Sequence, residues 1–120
     1  MTDRILEVVN ELKTRYEKRL ELRDKILNIQ NEQSQLKIAW LIEANDATDD
    51  NGKLRFRNAE MREGYVKAKL HAHESFETRR GLEKEMAELE VEIKILELEF
   101  KAQHAMLISK SGNTINLGGK

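Results

Sequence analysis

The chain has 120 residues, 39% hydrophobic and 36% charged, and its 21 basic and 22 acidic side chains leave a formal net charge of −1. That length corresponds to one domain, the near-neutral balance argues against bulk attraction to nucleic acid, and the absence of cysteine excludes a disulfide framework or a thiolate metal site. With only 5% aromatics and no proline, stability must come from aliphatic seams along helices, the composition of a coiled coil.

Met1-Thr2-Asp3-Arg4 leads directly into an amphipathic helix expected over about residues 3–44. One face carries Ile5, Val9, Leu12, Tyr16, Leu20, Leu27, Ser34, Ile38 and Leu41, spaced close to the helical period. A second stripe, Leu22, Ile26, Ile29, Gln33, Leu36 and Trp40, lies on roughly the opposite side. A solvated surface helix needs one apolar stripe, so the second is assigned to a partner. No run approaches ~18 apolar residues, so neither a signal peptide nor a membrane span is expected, and the expected location is cytoplasmic.

Residues 45–57 form the loop, where Asn51-Gly52 marks a turn because both residues tolerate positive φ. Asn58 is placed to cap a second helix over about residues 59–108. Its seam follows alternating steps of three and four: Met61, Tyr65, Ala68, Ala72, Ser75, Arg79, Leu82, Met86, Leu89, Ile93, Leu96, Phe100, Gln103 and Leu107. Val91, Ile95, Leu98, Ala102 and Ala105 point away from that seam yet are apolar, which predicts burial on both sides. A short loop makes the helices antiparallel neighbours, with Leu41 near Met61, Leu20 near Leu82 and Val9 near Ile93. Residues 13–25 carry six basic and three acidic side chains, against seven glutamates and two lysines in 83–99, so the flanks are complementary. Both helices turn polar or small around Arg23–Ser34 and Ala72–Arg79, a zone suited to a thin waist, a hydrated layer or a register-fixing device. Residues 109–120 read as a flexible polar tail.

The turn Thr48-Asp49-Asp50-Asn51-Gly52-Lys53, then Phe56 and Asn58-Ala59-Glu60, and the Glu/Leu/Ile heptads from Leu82 to Phe100 together carry a likeness. Over about residues 36–107 the chain resembles small helical-hairpin proteins encoded by bacteria, prophages and other mobile elements. The resemblance implies a hairpin of mobile-element origin and transfers no catalytic residue.

Candidate chemistry is sparse. Aligned on Gly52, the loop brushes a calcium-loop pattern, but Ala47 stands where the first carboxylate belongs and Asn58 where the bidentate glutamate belongs. His71 and His73 point about 200° apart on a regular helix, so they cannot chelate one ion with Glu74 and Glu77. The glutamates of 83–99 read as a charge-paired flank. Gly112 and Gly118-Gly119 precede no helix or Lys-Ser/Thr pair, and so form no phosphate loop. No metal, cofactor or enzymatic activity is expected. Lys53, Arg55, Arg57, Arg62, Lys67 and Lys69, with Phe56 interleaved, form a basic tip that can track phosphates and stack a base.

The sequence therefore predicts an all-α fold, a long antiparallel two-helix hairpin (coiled coil) assembling into a multi-helix bundle. Leu22, Ile26, Ile29, Trp40, Val91, Ile95 and Leu98 are expected to carry self-association into a dimer or tetramer. Two alternatives remain at this stage. One is an accessory factor in phage-type DNA replication or recombination, binding single-stranded nucleic acid through the basic tip. The other is an inhibitor or adaptor docking on a host or viral protein.

Overall fold

Long proline-free runs of good helix formers favour an extended backbone hydrogen-bond ladder, and the described residues form three helices. The computed structural model describes residues 2–119, with side chains from 3 to 110. Helix α1 spans Thr2–Asp46, α2 spans Ala59–Ala72 and α3 spans Glu74–Gly119. The fold is all-α, a long helical hairpin. The boundaries of α1 and the start of α2 fall within two residues of the sequence reading. The start of α2 is fixed as expected: Asn58, in extended conformation, accepts the Met61 N–H through its side chain at 2.8 Å.

Two expectations are corrected. The second helix is not continuous, because it breaks at His73, whose backbone leaves the helical region (φ −81°, ψ 144°). It also does not end at Ile108, since the α3 backbone continues to Gly119. The expected flexible tail, 109–120, falls largely on residues whose side chains lie outside the described ones.

Contacts divide the chain into two units, Met1–Leu22 with Glu85–Lys120, and Arg23–Lys84. In the first, the helices run antiparallel, with Arg4 paired to Glu99, Arg15 to Glu92 and Arg19 to Glu90. Its core is Val8 and Leu12 of α1 against Leu89, Ile93 and Leu96 of α3, all buried, with Leu22 completely buried at its edge. The complementary flanks appear as ion pairs. Arg15 Nε lies 3.5 Å from Glu92, Lys18 Nζ 3.7 Å from Glu85 and Arg19 Nη1 3.4 Å from Glu90. Arg4 grips Glu99 with two donors, Nε and Nη2. Tyr16 donates its hydroxyl to Glu97 at 2.8 Å.

In the second unit α1 runs antiparallel to α2 and the first turns of α3, with Glu43 beside Tyr65 and Gln33 beside Ser75. The pairings straddle the expected register: Arg4 with Glu99 and Lys18 with Glu85 fall within about one residue of it, whereas Arg19 with Glu90 and Gln33 with Ser75 are displaced by more than one turn of helix. What differs clearly is the choice of face on α1. Val8, Leu12, Leu22, Gln33 and Ala44 are buried, while Val9, Leu20, Leu27, Ile38 and Leu41 are exposed. The stripe assigned to the intramolecular seam is largely outside, and the one assigned to a partner is largely inside.

The connection between α1 and α2 is a miniature hairpin. Thr48 bridges Leu54, the Asp49 N–H donates to the Lys53 carbonyl at 2.7 Å, and the Gly52 N–H donates to the Asp49 carbonyl at 3.0 Å. Gly52 takes φ +79°, the left-handed position that closes a three-residue hairpin loop. Asp49 Oδ1 accepts the Asn51 and Lys53 N–H groups at 2.9 and 3.0 Å, so its carboxylate serves the turn itself.

Candidate functional site: a polar node, a groove and an outer stripe

Gln33 and Ser75 are the buried polar residues of the seam, 2% and 4% exposed. Gln33 Nε2 donates to Ser75 Oγ at 3.3 Å, and Gln33 Oε1 accepts from Arg79 Nη1 at 2.8 Å. Arg79 Nε donates to Glu83 at 2.6 Å, so the guanidinium is neutralised at the edge of the node. The Ser75 N–H donates to His73 Nδ1 at 3.1 Å, which requires that nitrogen to be bare and the imidazole proton to sit on Nε2. The Ser75 hydroxyl, 2.9 Å from the same nitrogen, is then a second donor to it. A buried amide is costly unless bonded. Here every polar atom of Gln33 has a direction: carbonyl toward Arg79, amide toward Ser75.

This node sits at the helix break and accounts for its form. The His73 N–H donates to the Leu70 carbonyl and the Phe76 N–H to the His73 carbonyl, both at 3.1 Å, so the interruption leaves these backbone groups paired. His71 stacks on Phe76 across it, centroids 4.4 Å apart, and the His73 ring meets Trp40 edge-on at 5.8 Å. The break also shifts phase. In α3, Ser75, Arg79, Leu82, Met86, Leu89, Ile93 and Leu96 face inward, as the heptad pattern predicts. In α2 the inward positions are Arg62, Tyr65, Val66 and Leu70, while Met61, Ala68 and Ala72 are exposed.

The residues expected at an oligomer interface divide accordingly. Leu22 is completely buried within the single chain and has no surface left for a partner. Ile26, Ile29 and Trp40 are half-buried. Val91, Ile95 and Leu98 are 59%, 60% and 56% exposed, one outward stripe on α3 opposite the filled seam. Sequence reasoning missed the exposed face of α1, because it had been assigned to the interior. Ile38 and Leu41 on that face, with Val66 and Leu70 of α2, floor a groove of about 390 Å³ rimmed by Lys37, Glu63, Lys67 and His71. Another groove, of about 620 Å³, lies in the first unit between Val9, Leu12, Tyr16 and Phe100.

At the tip, Phe56 packs on Tyr65 (centroids 4.7 Å), Tyr65 donates to Glu43 at 2.6 Å, and Arg62 Nη1 donates to the Phe56 carbonyl at 3.4 Å. Arg55 lies over the Phe56 ring and Lys69 over Tyr65. The expected base-stacking ring is thus occupied in packing. Lys53, Arg55 and Arg57 remain exposed, and Lys67 belongs to the groove rim. The phenols of Tyr16 and Tyr65 are held above their usual range, first by the hydrogen bonds to Glu97 and Glu43. Arg4 holds Glu99 below the usual carboxylate range, chiefly by hydrogen bonding. Among the described residues no group of three or more His, Cys, Asp or Glu could hold a metal ion, and no helix is long and apolar enough to cross a membrane.

Compared with known proteins, the chain matches no family model, no curated protein and no solved structure.

Proposed function

We propose that this chain is a non-enzymatic coiled-coil interaction protein that self-associates, of the kind carried by phages and other mobile elements. The observation that carries the reading is the outward stripe Val91, Ile95 and Leu98, more than half exposed on the face opposite a seam already filled by Leu89, Ile93 and Leu96. An apolar stripe at helical spacing with no intramolecular partner is what helix-to-helix recognition uses. Size-exclusion chromatography with light scattering tests it: the chain runs as a discrete oligomer, and Val91→Glu with Leu98→Glu returns it to monomer. A monomer at every concentration would remove self-association and leave a foreign partner, such as a host or viral protein, to cover the stripe.

A second reading rests on the tip, where Lys53 and Arg57 have no ion partner among the described residues. Exposed cations of this kind suit contact with a single-stranded phosphate backbone. The packing of Phe56 on Tyr65 takes away the stacking platform and makes this the weaker of the two. Binding to a labelled oligonucleotide that falls steeply with salt, and is lost in Arg55→Ala/Arg57→Ala, would support it.

A further inference from the structure

We infer that the groove floored by Ile38, Leu41, Val66 and Leu70 receives the Val91–Leu98 stripe of a second copy of this chain; this deepens the self-association reading and rests on it. The groove has an apolar floor and lies between two helices, the shape that takes an amphipathic helix through anchors at i, i+4 and i+7. Val91, Ile95 and Leu98 have that spacing and are exposed.

Charge selects this occupant. Among the described residues Lys37 and Lys67 on the rim have no ion partner, and neither does Glu63. On α3, Glu88 lies one turn before Val91 and Lys94 one turn before Leu98, and neither has an ion partner among the described residues. The remaining glutamates of that stretch are spent inside the chain, Glu90 on Arg19, Glu92 on Arg15, Glu97 on Tyr16 and Glu99 on Arg4. Docking therefore offers Glu88 to the rim lysines and Lys94 to Glu63, matching the charges each surface leaves over. Two α3 stripes packed on each other would leave the groove and its rim charges in solvent. Such complementarity sets register and partner more than raw affinity.

The chain has no cysteine, so single-cysteine variants report the interface directly. Lys67→Cys and Glu88→Cys proteins are mixed and oxidised at a concentration where light scattering shows the oligomer. The expected result is a mixed disulfide several-fold in excess of either homodisulfide. Ile38→Glu, at a position 62% exposed in the single chain, should abolish that cross-link while helicity by circular dichroism stays unchanged. Lys67→Glu should weaken association roughly twofold to fivefold, the scale of an exposed pair, and Glu88→Lys in the same chain should restore it. If only the Glu88→Cys homodisulfide forms in an intact oligomer, α3 packs on α3: the inference falls and self-association stands. A monomer in light scattering overturns both.

Discussion

The backbone N–H of Ser75 donates to the imidazole Nδ1 of His73 at 3.1 Å, so a histidine side chain caps the amino end of α3 at the point where the second helix breaks. That contact orients the ring against Trp40, the chain's single tryptophan, and leaves Ser75 Oγ aimed at Gln33.

Replacing His73 should therefore act through the cap. His73→Ala is expected to cost about 1 kcal/mol in denaturant unfolding, whereas His73→Asn, a good capping residue, retains most of the stability. Tryptophan fluorescence should change in both, because Trp40 loses its ring neighbour. Equal stability of the two variants would mean that the cap contributes nothing measurable.

The node predicts a non-additive pair. Ser75→Ala removes the acceptor of a buried amide and should destabilise by ~1–3 kcal/mol. Gln33→Leu together with Ser75→Ala removes both partners and should recover much of that loss, since Arg79 keeps Glu83. A double-mutant cycle measures the coupling; simple additivity would show that the bond between the two side chains carries no energy.

Inward and outward leucines should respond differently to concentration. Leu22→Ala and Ile93→Ala create cavities in a core that is essentially closed to solvent and should cost ~2–5 kcal/mol whatever the protein concentration. Leu98→Ala should lower the melting temperature only where the chain is associated, an effect that vanishes on dilution. A dilution-independent loss for Leu98 would make it a core residue of the single chain.

Alkaline pH should titrate a weakness. The chain has two tyrosines, and both are raised above the usual 10.0 by donating to carboxylates. A raised folded-state value means that the stabilisation is complete below the unfolded value and is lost as pH rises through the folded one. The tyrosinate absorbance band should therefore develop later than in free tyrosine, with stability falling as it does. Glu43→Gln should bring forward the Tyr65 half of the signal and Glu97→Gln the Tyr16 half. Titration at the free value in the parent chain would refute the two hydrogen bonds in solution.

Gly52 should resist substitution for backbone reasons alone, because a Cβ there meets nothing within 4 Å while φ is +79°. Gly52→Ala is expected to cost ~1–2 kcal/mol, and Gly52→Asn less. An alanine variant as stable as the parent would indicate that the loop relaxes into another turn.

How much of this was legible follows from what periodicity can encode. The α3 seam from Ser75 to Leu96 could be read because one stripe there is flanked by charge at every turn, and the Gly52 turn and Asn58 cap could be read because each depends on its own side chain or its lack of one. The two faces of α1 could not be ranked. Val9, Leu20, Ile38 and Leu41 are as apolar as Leu22, Ile26 and Trp40, and spacing alone does not say which set meets a neighbour. Gln33, Ser75 and Arg79 were visible as polar members of apolar stripes, which marked the zone. The break at His73 was hidden because both sides of it are good helix, with no proline or glycine at the interruption to mark it. Of the candidate site, the outer stripe Val91–Leu98 was legible and the groove was not, since half of the groove comes from the misassigned face.

Helix α2 contains no buried residue, while α1 and α3 both anchor in closed core. It is held by half-covered side chains and by the cap at each end. Amides in such a segment exchange with solvent through local opening at a free energy well below that of global unfolding. Residues 59–72 should thus take up deuterium, and be cut by a protease, before the core segments of α1 and α3 around Leu22 and Ile93. The wall of the groove is less protected than the core around Leu22 and Ile93, so a helix seated there would slow its exchange.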